Sequence, residues 1–132
     1  MQLNLVCSNL TAIRGMVGVD VLVDNATAEY VRVGFDVGAG HLFVDQTHLG
    51  SGARQTTTPL ALTALNLTVL VDGALIESFL NDRLVISTLL APAEAGLDGS
   101  LNDRGVRMFS SCSPKASCGQ CNARVWPLLF RR

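Results

Sequence analysis

The chain has 132 residues, which suffices for one domain with its own core and leaves no room for a second. Hydrophobic residues make up 48% of it and charged residues 16%, a composition that excludes intrinsic disorder. Ten basic and eleven acidic residues give a net charge of -1, so the sequence offers neither the basic surface that nucleic acid requires nor a polybasic membrane patch. We therefore expect residues 1–132 to form a single domain with no nucleic-acid or membrane partner.

Alternation of apolar and polar residues dominates the sequence. Residues 19–23, 31–35 and 65–71 place valine, leucine or phenylalanine at every second position, which is typical of strands with one buried face. In chain order, we predict strands at about 2–7, 18–24, 29–37, 41–45, 60–72, 75–80, 83–90, 105–110 and 122–126. Residues 50–59 form a polar connection and are predicted to be an exposed loop. Residues 92–101 carry two glycines and predict a loop or one short turn rather than a longer helix.

Short strands without helical spacers indicate an all-β fold, because parallel sheets need crossover helices. We predict an antiparallel β-sandwich of two packed sheets, of the jelly-roll or lectin-like kind. The side chains predicted to fill the space between the sheets are Val21, Val33, Phe43, Leu67, Val69, Phe79, Val85 and Trp126. Asn81 and Asp82 tolerate positive φ and predict a tight hairpin that sets residues 78 and 85 opposite each other.

Few residues have the chemistry of a catalytic or metal site. Asp45, Asp72 and Glu77 are acids in or at the ends of strands, where a glycosidase pair would be sought, yet acids there more often cap turns or face water. His41, Asp45 and His48 have ligand chemistry, but such a set in a loop is more often polar surface. Serine-nucleophile, phosphate-loop and zinc-protease motifs are all missing. We expect no catalytic residue, no metal and no cofactor.

The four cysteines leave three interpretations open: a zinc site, a disulfide or free thiols. Cys112, Cys118 and Cys121 could join Cys7 in a zinc site, although a zinc ribbon normally shows two C-x-x-C pairs. In an oxidising compartment, a disulfide within the 112–121 segment is favoured instead. Three N-glycosylation acceptors, at Asn9, Asn25 and Asn66, suggest such a compartment. Residues 1–7 show no basic leader segment, and residues 55–71 are too polar for a transmembrane helix.

Several motifs keep the order and spacing of a known module. Residues 71–82, VDGALIESFLND, resemble the V-D-x-S-x-x-E-x-F-x-N-D motif of the carboxy-terminal β-sandwich in glycoside hydrolase family 32, which contains invertases, inulinases and levanases. Residues 34–36 and 42–47 are similar to the family's G-Y-D and L-x-V-D-R-T hairpin, and residues 125–128 to its closing strand. The positions that carry the resemblance are Asp36, Asp45, Asp72, Glu77, Phe79, Asn81, Asp82 and Trp126.

The resemblance implies an accessory, non-catalytic sandwich, a fragment or stand-alone remnant, that buttresses a catalytic propeller or a partner subunit. The family's catalytic acids lie in propeller motifs that this sequence lacks. The family's arginines are replaced by Gln46 and by Leu89 or Leu90, which alters the surface that would face the propeller. A secreted, vacuolar or cell-wall context is implied for the parent enzyme. The alternative function is an independent carbohydrate-binding sandwich, although aromatic residues make up only 5% of the chain.

A sandwich that evolved against a propeller should also retain an exposed apolar patch. The candidates are apolar residues at loop or strand-end positions: Leu49, Leu89, Leu90, Leu97, Leu101, Leu129 and Phe130.

Overall fold

The computed structural model describes residues 1–49, 53–90, 104–110 and 121–126. Its strands are β1 (Gln2–Cys7), β2 (Met16–Asp24), β3 (Glu29–Asp36), β4 (His41–Asp45), β5 (Arg54–Thr56), β6 (Leu65–Asp72), β7 (Leu75–Leu80), β8 (Leu84–Leu89), β9 (Gly105–Ser110) and β10 (Cys121–Trp126). Two short 3₁₀ helices, Leu10–Ala12 and Thr47–Leu49, lie in the connections. Over this described part of the chain, no helix is long or apolar enough to span a membrane.

The strands form two five-stranded antiparallel sheets packed face to face. The first sheet has the order β10-β1-β6-β7-β8, and the second sheet has the order β5-β4-β3-β2-β9. One continuous apolar cluster contains buried residues from both sheets, among them Leu5 and Leu67 from the first and Val19, Val33 and Val44 from the second. The predicted all-β antiparallel sandwich is confirmed.

The strand positions follow the predicted ones closely, with differences at the edges of the sheets. β5 lies within residues 50–59, which were predicted to be a loop, because Arg54–Thr56 pair with β4 and complete the second sheet. β6 begins at Leu65 rather than at residue 60. The predicted loop at 92–101 lies outside the described residues.

The β7–β8 hairpin has the predicted turn and a different register. Asn81 and Asp82 both adopt positive φ, at 51° and 55°, as expected. Leu80 pairs with Leu84, however, so Arg83 adds a third residue to the connection. The predicted pairing of residues 78 and 85 is therefore wrong, since residue 78 lies opposite residue 86 and residue 79 opposite residue 85.

Half of the predicted core residues lie between the sheets: Val21, Val33, Leu67 and Val69. Phe43 is fully buried but belongs to the opposite face of the second sheet, where the Arg54 guanidinium lies 4.4 Å from its ring centroid. Phe79, Val85 and Trp126 were predicted to be core residues, and this is wrong. Phe79 is half-buried, and Val85 and Trp126 are 52% and 42% exposed, because the buried phase of β7 contains Ile76, Ser78 and Leu80 instead.

Candidate functional site

The sandwich presents two outer faces, and the face of the second sheet carries a charged row. Directly paired residues on five adjacent strands place alternating charges side by side, in the order Arg107, Asp20, Arg32, Asp45 and Arg54. Asp20 is completely buried, and both of its oxygens accept hydrogen bonds. Arg32 donates from Nε at 2.7 Å and from Nη2 at 3.1 Å, and Arg107 lies at 3.0–3.1 Å on the other side. The hydrogen bond to Asp20 raises the pKa of Arg32.

A second row on the same face is built around two glycines. Gly18 and Gly34 lie side by side on β2 and β3, between Phe109 on β9 and Phe43 on β4. A Cβ on Gly34 would lie 2.6 Å from a backbone oxygen and about 3 Å from both phenylalanine rings, so the rings pack over bare backbone. The Arg32 guanidinium covers the Phe109 ring at 3.9 Å. The aromatic side chains of this face are thus already occupied by arginines.

Two of the motif acids close turns. Asp36 accepts a hydrogen bond from the amide of Ala39 at 3.1 Å, and Asp45 accepts from the amide and hydroxyl of Thr47 at 2.9 and 2.6 Å. Partial burial acts to raise the pKa of Asp45, but the two Thr47 bonds and the nearby charges of His48 and Arg54 outweigh it and lower the pKa. Asp45 is therefore a stable carboxylate, the opposite of a general acid.

The two histidines that could have joined Asp45 in a metal site have separate partners. His41 Nδ1 lies 2.8 Å from the carbonyl oxygen of Thr57. His48 stacks on the ring of Tyr30, with centroids 4.2 Å apart. Within residues 1–49, 53–90, 104–110 and 121–126, no three His, Cys, Asp or Glu side chains lie close enough together to hold a metal ion.

The outer face of the first sheet, hereafter the open face, is different in character. Two rows of directly paired side chains cross it: Trp126, Gln2, Leu70, Glu77 and Ser87 in one row, and Arg124, Asn4, Thr68, Phe79 and Val85 in the other. Leu75 and Leu89 form a further pair at its margin, and Leu89 is 75% exposed. The open face therefore mixes exposed apolar side chains with uncharged polar ones and has few charges.

Glu77 and Asp72 lie on the open face and cannot meet Asp45. Asp72 pairs with Leu75, and Glu77 pairs with Leu70 and Ser87, whereas Asp45 lies on the outer face of the other sheet. Within the described structure, the Ser87 hydroxyl lies 3.5 Å from a carboxylate oxygen of Glu77. The three candidate acids are therefore split between opposite sides of the sandwich. Among the described residues, Asp45 therefore forms no catalytic pair with Asp72 or Glu77.

The remaining motif residues organise the ends of strands. The Asn81 side chain accepts a hydrogen bond from the amide of Asn66 at 2.6 Å and donates one to the carbonyl of Ala64 at 3.2 Å. It thereby joins the β7–β8 turn to the start of β6. Asp82 is the second residue of that turn with positive φ.

The structure pairs Cys121 with Cys7, which the sequence did not predict. The two residues lie directly opposite each other on β10 and β1 and form a disulfide, although 114 positions separate them. A disulfide of Cys121 within the 112–121 segment is therefore wrong, and a zinc site that includes Cys7 is excluded with it. Cys112 and Cys118 lie outside the described residues.

Of the residues predicted to form an exposed apolar patch, three are described by the structure, and one of them is exposed. Leu89 is the exposed residue, whereas Leu49 and Leu90 are buried at 3% and 1% exposure. Leu97, Leu101, Leu129 and Phe130 lie outside the described residues.

The glycosylation acceptors Asn9, Asn25 and Asn66 are all exposed. Asn9 and Asn25 lie in connections between strands, and Asn66 lies on the open face, where its Oδ1 accepts from Asn4 at 2.7 Å.

Comparison with known proteins gives concordant results. The family model described as the C-terminal domain of glycosyl hydrolases family 32 matches residues 2–127. The exo-inulinase of Aspergillus awamori is similar over 92% of this chain and 23% of its own, with 16% identity and a TM-score of 0.65. The Aspergillus kawachii β-fructofuranosidase, solved with glycerol, is similar over 83% and 20%, with 17% identity and a TM-score of 0.64.

A bacterial enzyme shares the fold as well. The sucrose-6-phosphate hydrolase of Lactobacillus gasseri covers 84% of this chain at 20% identity, with a TM-score of 0.57. No curated protein gives a significant match. The chain spans about a fifth of the length of the solved enzymes, and identities this low establish a shared fold. The family model covers nearly the whole sequence and confirms the motif resemblance, so the chain belongs to the C-terminal domain family of the family 32 glycosyl hydrolases.

Proposed function

We propose that this chain is a non-catalytic accessory sandwich of a sucrose- or fructan-cleaving enzyme and that it packs against the catalytic domain through the open face. The observation that carries the proposal is a group of apolar side chains on the adjacent strands β7 and β8 of that face, where Leu89 pairs with Leu75 and Val85 pairs with Phe79. Leu89 and Val85 are 75% and 52% exposed, and Trp126, on the opposite edge strand β10, is 42% exposed. Contiguous apolar surface of this kind usually marks a partner site.

The other face is less suited to a partner of this kind. Its buried carboxylate already has two arginine partners, and its aromatic rings are covered by guanidinium groups. A partner would have to displace internal interactions to gain contacts there. The open face offers apolar side chains that make no such contacts, so burying them costs little and stabilises the assembly by roughly 25 cal/mol per Å² of apolar surface.

The positions of the acids support a non-catalytic role. A glycosidase needs two carboxyl groups about 5–10 Å apart, one of them kept protonated in a water-excluding pocket. Asp36 and Asp45 are engaged as turn caps, and Asp45 has a lowered pKa. Asp72 and Glu77 lie on the open face, where Asp72 is exposed and Glu77 half-buried. In this proposal, the partner domain therefore cleaves the glycosidic bond.

The test is an association measurement with a separately produced family 32 catalytic domain from the same organism. Sedimentation velocity should show a complex with the native chain, and Leu89→Asp should weaken it by roughly tenfold or more, because a charge would enter an apolar contact. Thr56→Asp, an exposed position on the edge strand of the other sheet, is the matched control and should bind normally. Equal weakening by both variants, or no complex with the native chain, would refute the proposal.

A second candidate function is carbohydrate binding, which the exposure of Trp126 favours. Its ring lies on the open face next to Gln2, with Arg124 two residues away on the same strand face, so an aromatic surface and polar groups are adjacent. Trp126 is the single tryptophan of the chain, so titration with inulin, levan or sucrose can be followed by its fluorescence. A saturable change that excess sugar competes away would support this function. If the fluorescence does not change with sugar concentration, carbohydrate binding is contradicted and the accessory role remains as the proposed function.

A further inference from the structure

The Cys7–Cys121 disulfide lies on the core-facing side of the first sheet, opposite the open face. Cys7 is the last residue of β1 and is fully buried, while Cys121 is the first residue of β10 and is half-buried against the core. Because the two are directly paired, the disulfide joins the β10 edge strand to its neighbour at one end. It is the covalent link between these strands in the described structure.

Among the residues that the structure describes, few other contacts hold β10 in place. Every residue of β10 after Cys121 is exposed, including Val125 at 50%. Among the described strands, β10 pairs with β1 alone. β10 is an edge strand that gains backbone hydrogen bonds on one side, and each such bond contributes little net stability, so pairing without side-chain burial would hold β10 more weakly than the inner strands. The strand therefore depends on its covalent attachment.

The neighbouring strand is anchored independently. Leu3 and Leu5 of β1 are fully buried in the core, and β1 pairs with β6 along its whole length on its other side. β1 would consequently remain in the sheet if β10 left. Its freed N–H and C=O groups would face water, which satisfies them.

We propose that the disulfide is a redox-sensitive latch that holds β10, and with it Trp126 and Arg124, on the open face. A dithiol reductant attacks the half-buried Cys121 sulfur, the S–S bond breaks, and the Cys7 thiolate leaves and takes a proton. The second thiol of the reductant then attacks the mixed disulfide and releases the Cys121 thiol, so the protein gains two electrons and the reductant becomes a disulfide. β10 then detaches, and the rest of the sandwich persists.

The consequence for partner binding depends on the proposed function. If the open face packs against a catalytic domain, reduction removes one of its five strands and weakens the complex. The latch is tested on the chain alone, without a catalytic domain. Its test can therefore fail while the proposed function holds, and the reverse is also possible.

The experiment is hydrogen exchange with and without dithiothreitol, combined with acrylamide quenching of Trp126. A Cys112→Ser/Cys118→Ser background leaves Cys7 and Cys121 as the only pair for the reductant. Reduction should accelerate exchange of the β10 amides by roughly tenfold or more and increase quenching, while β6 and β7 keep their protection. Adding Cys7→Ser and Cys121→Ser should reproduce the reduced state and make it insensitive to reductant.

Two outcomes would overturn the latch. Unchanged protection of β10 would show that other contacts hold the strand. Equal loss of protection in β6 and β7 would show that the disulfide stabilises the whole domain rather than one strand.

Discussion

Asp20 is the most completely buried charge in the described structure, and its removal should destabilise the sandwich measurably. In Asp20→Asn the shape of the side chain is kept, but the carboxylate between Arg32 and Arg107 is lost. Removing one partner from a buried ion pair typically costs 3–5 kcal/mol, because the other charge is left without compensation. Here both arginines reach solvent, with side-chain exposures of 25% and 49%, so they can recover part of their hydration.

We therefore expect Asp20→Asn to lower the free energy of unfolding by about 2–3 kcal/mol, between the values for buried and exposed pairs. Urea denaturation followed by far-UV circular dichroism, under oxidising conditions, measures the change. Asp72→Asn, an exposed strand-end carboxylate, is the control and should stay within about 0.5 kcal/mol of the native chain. If Asp20→Asn costs no more than this control, the charged row does not stabilise the second sheet and the reasoning is refuted.

Three further predictions follow from single side chains. Gly34→Ala should destabilise the chain by about 1–3 kcal/mol because the added carbon would lie 2.6 Å from a backbone oxygen, whereas Gly38→Ala, with 3.6 Å of clearance, should be neutral in the same denaturation assay. Ser78→Ala should be neutral or stabilise by about 1 kcal/mol, since the buried hydroxyl has no hydrogen-bond partner in the described structure, and a clear loss of stability would reveal one. Thr47→Val should raise the pKa of Asp45 in an NMR titration by removing the hydroxyl bond, and an identical titration would exclude that bond as the cause. Because the folded pKa is the lower one, this carboxylate stabilises the chain above about pH 4, and its contribution is lost as the pH falls through the folded pKa.

The strands were predictable because their period-two pattern is local, and the errors lie where that pattern is ambiguous. In β7 both phases contain large apolar residues, since Leu75 and Phe79 alternate with Ile76 and Leu80. The prediction placed Phe79 in the core and so assigned the wrong phase of β7 to the interior. The polar residues at 77 and 78 could have decided which phase is buried, because burying the serine at 78 costs less free energy than burying the glutamate at 77.

Pairings between distant segments could not be predicted from local sequence. Cys7 and Cys121 are brought together by the order of strands in the first sheet, and four cysteines allow three pairing patterns that spacing cannot separate. The charged row likewise depends on the register of five strands. The paired glycines at 18 and 34 gave the best available signal for it, since glycine within a strand marks a close approach to backbone.

The turn functions of the motif acids were predictable in part. Asp45 was expected to bond turn amides, and it accepts the amide of Thr47 at 2.9 Å. Its side of the sandwich was not predicted, because the sequence does not show which sheet a strand joins. That assignment separates Asp45 from Glu77 and is the reason that the two cannot act as a catalytic pair.

The central claim, that the chain is accessory rather than catalytic, is tested most directly by assaying fructose release from sucrose, inulin and levan. The purified chain alone should release none above the buffer blank. The separately produced catalytic domain should carry the activity and become more resistant to thermal inactivation when the chain is added. Turnover by the chain alone that disappears in Glu77→Gln would contradict the account, because it would place a catalytic carboxylate on the open face.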